Sequence, residues 1–168
     1  MSKSPLSSPV DSPNVPSPDE DFAALFAASE QKGRRSKIEV GDRGTDSPAL
    51  QNHKAFLFSK DRNLLVLPIL EAQIDPSKYV KQPPANAYGD YVRQGAYVFD
   101  ISPGGITLRG IVTHLKGDEL LKSGYWFNSE YSVERSLYIG NVLYTVSGRM
   151  IKANSLTNLK ELASVELK

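Results

Sequence analysis

The 168-residue sequence contains no cysteine, which removes disulfides, cysteine nucleophiles and thiolate metal sites from consideration. Two histidines are its whole supply of imidazole, too few for a zinc site without carboxylates filling the other positions. No His-x-x-His or His-Glu-x-x-His spacing occurs, and no Gly-x-Ser-x-Gly elbow. There is little charge imbalance. Twenty basic against nineteen acidic residues leave a net charge of +1, so no strong field attracts nucleic acid, anionic lipid or acidic substrates. No apolar run approaches the ~20 residues of a spanning helix. The N-terminus lacks the basic-then-apolar layout of a signal peptide.

The residues that are present fall into two unlike parts. Residues 1–18 hold five prolines and six serines and almost no large apolar side chain, so they cannot offset the entropy of ordering and are expected to be disordered. Asp19 to Glu30 predicts a short helix. Asp19 is the N-cap, acidic residues fill the first turn, and Phe22, Leu25 and Phe26 share one face. Residues 1–35 are thus read as a tail with a short helix.

From Ser36 onward the composition changes. Thirteen of the fifteen aromatics lie here, and short apolar runs alternate with Gly, Asn, Asp and Pro, the punctuation of strands and turns. Strands are expected at 54–59, 64–70, 95–101 and 106–114. They are expected again at 135–139, 142–146, 150–154 and 159–167. Pro68 should sit near a strand end or bulge, because it donates nothing to a ladder. Ser102-Pro103-Gly104-Gly105 and Gly140-Asn141 are tight turns. Each half is one four-stranded antiparallel unit, about 50–114 and about 133–168, with inserts at 71–94 and 115–133. Consecutive units of this kind build β-propellers, so the fold class is all-β, a partial propeller of two blades.

Several ordered motifs carry a resemblance: Gly41-Asp42-Arg43-Gly44-Thr45-Asp46-Ser47, His53 to Phe58, Gly95 to Phe99, and Arg135 to Gly140 with Leu143-Tyr144-Thr145 and Met150 to Ala153. Over about residues 36–168 the chain resembles the C-terminal end of a family of archaeal and bacterial secreted proteins. These carry a β-propeller domain distantly related to WD repeats. The resemblance implies a propeller fold at the cell surface or outside the cell, and it implies no catalytic residues. Members of that family are longer and begin with an export signal. Phe22 to Phe26 followed by Lys37 to Asp42 is similar to the lead-in of some bacterial OB-fold RNA-binding domains, although the barrel that should follow does not.

Two blades would leave two open apolar faces, and such arrays generally need about three or more units. Either several copies close a ring or the chain is a piece of one. Self-association through the open faces is therefore one expected partnership.

Candidate sites are few. Asp42 and Asp46 in a Gly-rich loop are the residue types that ligate Ca²⁺, which takes about six to eight oxygens. The competing reading is a turn in which both side chains accept backbone N–H groups. His53 and His114 read as strand-end residues with ordinary hydrogen bonds. Tyr125-Trp126-Phe127 is either an exposed recognition patch or a set of rings folded under the sheet. No cofactor is expected. The expectation for function is a non-enzymatic binding or scaffolding module whose surface lies in the inserts 71–94 and 115–133. The alternatives are a nucleic-acid-binding protein, resting on Arg34-Arg35 and the N-terminal resemblance, and a metal-binding surface protein. A hydrolase ranks below these and needs both histidines to converge with a carboxylate.

Overall fold

The computed structural model describes residues 36–117 and 127–168. The expected tail and helix lie outside them, as do Tyr125 and Trp126. Ser36–Lys168 form one compact unit. It is all-β. β1 (Leu57–Ser59), β2 (Leu64–Gln73), β3 (Asp90–Ser102) and β4 (Gly105–Val112) make one antiparallel four-stranded sheet in chain order. β5 (Arg135–Ile139), β6 (Val142–Val146), β7 (Met150–Ser155) and β8 (Glu161–Glu166) make a second. Two consecutive four-stranded meanders are the blade pattern read from the sequence.

The turns follow from residue type. Gly140 takes positive φ at the first central position of the β5–β6 hairpin, where a side chain would be strained. Pro103-Gly104 joins β3 to β4 between the paired Ser102 and Gly105. The first strand differs from expectation. His53–Ala55 wind into a 3-10 turn because the Asn52 side chain accepts from the Lys54 N–H at 3.1 Å, leaving only Leu57–Ser59 to pair. The long insert is also shorter than expected, because β2 and β3 stay paired out to Gln73 and Asp90.

Pro68 lies inside β2, three residues before the bulge at Glu71/Ala72. It is tolerated because β1 pairs only with Leu64–Val66, which leaves the outer side of Pro68 without a strand. The loop 41–47 takes over that edge. Ser47 Oγ donates to the Pro68 carbonyl at 2.6 Å, Asp46 exchanges backbone bonds with Leu70, and Asp42 N–H donates to the Ala72 carbonyl at 2.7 Å. Gly41 has a φ of 64°, and a Cβ there would come within 2.7 Å of the Ala72 carbonyl, so this close approach requires glycine.

The core lies between the sheets. Leu64, Val66, Ala96, Val98 and Val112 of the first sheet bury against Leu143 of the second and Leu156 of its β7–β8 turn, with Val133 from the segment before β5. The near-continuous apolar run of β2 is explained by burial on both faces, since its alternate residues Leu65, Leu67 and Ile69 join Tyr97 and Phe99 in a second cluster. Val40 packs on that cluster from outside. On the second sheet, the face turned away from the seam carries Leu137, Ile139 and Val165, all exposed. β8 is an exposed edge with Glu at both ends, the charged edge that discourages further strand pairing.

Candidate functional site

Two polar staples hold the seam, both at the end where Gln94 and His114 lie level on β3 and just past β4. Gln94, buried at the start of β3, donates from Nε2 to the Val133 carbonyl and accepts the Val133 N–H at Oε1, both at 3.0 Å. This amide reproduces a strand pairing across the gap between the sheets. His114, two residues past β4 and 0% exposed, lies 2.7 Å from Thr145 Oγ1 through Nε2 and 3.0 Å from Ser147 Oγ through Nδ1. Burial lowers its pKa from 6.5 to about 4, with the charge of Lys152 adding to the shift and Glu161 opposing it. The imidazole is therefore neutral at physiological pH and serves as a fixed cross-sheet link.

Clefts open at both ends of this seam. One, of about 370 Å³, lies between the strip at Asp46–Gln51, the Leu70–Gln94 pair of β2 and β3, and the segment from Phe127 to Glu134. Its apolar wall is Leu70, Pro48, Phe127 and Val133, and two carboxylates, Asp46 and Glu134, stand on it. The Phe127 ring is held against Tyr91 at 6.4 Å between centroids, tilted by 57°. One Asp46 oxygen accepts the Ser47 N–H at 2.8 Å. Among the described residues, neither carboxylate has a cationic partner. The other cleft, of about 560 Å³, lies where the hairpin turns of both sheets meet, and Arg62, Asp100, Arg109, Asn141 and Thr157 line it. The register places Leu64 opposite Asp100 and Leu70 opposite Gln94, so the two clefts are about 20 Å apart along β2.

This architecture agrees with the comparison to known families: a model described as beta propeller domain matches residues 28–159, more than three quarters of the chain. The chain belongs to the beta propeller domain family. No curated protein and no solved structure matches it.

Within this propeller domain, the residues singled out in the sequence are placed as follows. Asp42 accepts the Ile74 N–H at 2.8 Å and Asp46 accepts that of Ser47, so both carboxylates bond backbone amides as a turn requires. Among the described residues, no group of three His, Asp or Glu side chains gathers. Asp46 and Phe127, far apart in sequence, come to one cleft. His53 is exposed on its 3-10 turn, whereas His114 is buried at the seam. Sequence reading missed Gln51, Gln94 and Glu134. Nothing in their local sequence marks them, because their neighbours at the cleft come from separate segments. Among the described residues, no helix is long and apolar enough to cross a membrane.

Proposed function

We propose that this propeller domain is a non-enzymatic binding module at the cell surface or outside the cell, and that its cleft at Asp46, Phe127 and Glu134 receives a basic side chain of a protein partner. The carrying observation is the pairing of an apolar wall with two carboxylates that lack cationic partners among the described residues. An aliphatic stem ending in a cation satisfies both features: the stem covers Leu70 and Phe127, and the ammonium or guanidinium reaches the carboxylates. The extracellular placement is supported by the resemblance to secreted and cell-surface propeller proteins.

The test is titration of the full chain with a short acetylated, amidated peptide bearing one lysine between valines. Asp46→Asn together with Glu134→Gln is expected to weaken binding about tenfold, since each exposed charge pair contributes up to about 1 kcal/mol. Equal binding by the double variant, or no preference over the same peptide with norleucine for lysine, would overturn this reading.

The exposed Leu137, Ile139 and Val165 on one face favour self-association through that face as a second partnership. Light scattering is expected to show a mass above one chain that falls towards one chain in Ile139→Lys. A monomeric wild-type protein would remove this partnership.

A further inference from the structure

We infer that the cleft at the opposite end of the seam is a second binding site, one that takes a carboxylate through Arg62. Both sheets build it. Arg62, in the β1–β2 turn, places its guanidinium 4.9 Å from the ring centroid of Tyr138 on β5. That ring is itself held, because Tyr138 Oη lies 3.0 Å from the hydroxyl of Ser59 on β1. The guanidinium therefore rests on a fixed platform rather than sweeping through solvent.

The second arginine at the cleft has a different task. Arg109 pairs with Asp100 through two nitrogens and donates from a third to the Leu156 carbonyl at 2.7 Å. Three of its donors close the wall between the sheets, and its charge is matched by Asp100. Arg62 has no carboxylate partner among the described residues. The cleft thus carries one uncompensated positive charge with a planar fork of donors. Beside it, Asn141 Nδ2 donates to Thr157 Oγ1 at 3.0 Å, an arrangement that leaves the Asn141 amide a second donor proton and fixes its orientation. A planar carboxylate fits the guanidinium fork in the bidentate manner, and Asn141 adds a neutral donor.

This site rests on different residues from the Asp46 cleft and stands or falls separately. The probes are succinate and, in a second arm, inorganic phosphate, titrated calorimetrically into the full chain at low salt and pH 7. Saturable succinate binding is expected. Arg62→Gln is expected to weaken it about tenfold and Arg62→Lys about threefold, because lysine keeps the charge and loses the fork. Asn141→Ala should produce a smaller loss, and circular dichroism should be unchanged in all three variants. The inference is overturned by no saturable succinate binding below about 10 mM, by equal binding in Arg62→Gln, or by binding of phosphate without succinate.

Discussion

Leu143→Ala is expected to cost about 2–5 kcal/mol and to lower the stability of both sheets together. Leu143 is 0% exposed and sits on β6, where it meets the first sheet's Leu64, Val66, Ala96 and Val98 across the seam. Truncation leaves a cavity between two sheets whose backbones are pinned by Gln94 and His114, so the walls can collapse only partly. Whole domains are stable by only about 5–15 kcal/mol, so this loss is a large fraction of the total. Denaturant unfolding followed by tyrosine fluorescence and by circular dichroism should show one transition, shifted equally in both signals. Two separated transitions, with only one moved by the substitution, would mean that the sheets do not share a core.

Acidification supplies the second large effect. In the folded chain, burial holds His114 neutral down to about pH 4, whereas an unfolded histidine takes up its proton near 6.5. The folded-state pKa is thus below the unfolded one. Stability from this group is complete above pH 6.5, falls as the pH drops from 6.5, and is lost once the pH passes below about 4. Integrated over that window the loss is on the order of 3 kcal/mol. Lys152 opposes the charged form further, and Glu161, which pairs with Lys152 at 3.0 Å, favours it. In His114→Gln the amide retains bonding to Thr145 and Ser147 but does not titrate. The variant should be less stable at pH 7, and the difference between variant and wild type should shrink as the pH falls to 4. A constant difference across the window would show that His114 does not carry the effect.

Much of the fold was legible in the sequence because strand and turn chemistry is local. Arg135–Ile139 and Val142–Val146 are short alternating runs around Gly140-Asn141, and the structure forms them with those bounds. Lys54 and Ala55 were misread because a local side-chain bond from Asn52 outcompetes ladder pairing for an apolar run with few strand neighbours. Pro68 lies three residues before the bulge at Glu71/Ala72, but the sequence does not say that β1 stops at three residues and that the loop 41–47 then guards the edge. The site was legible only in pieces. Asp46 stood out as a carboxylate in a Gly-rich loop, and Phe127 as an aromatic beside Tyr125 and Trp126. That they share a cleft depends on the blade-to-blade packing, which no local pattern encodes. The same holds for Arg62, an ordinary turn residue until Tyr138 of the other sheet lies beneath it.

The most direct test of this propeller domain as a binding module is amide chemical-shift mapping on the full chain during titration with the single-lysine peptide. The account predicts shifts concentrated at residues 46–51, at Gln94 and from Phe127 to Glu134, with the Arg62 end of the seam undisturbed. Shifts spread evenly over the surface, or none at saturating peptide, would contradict it.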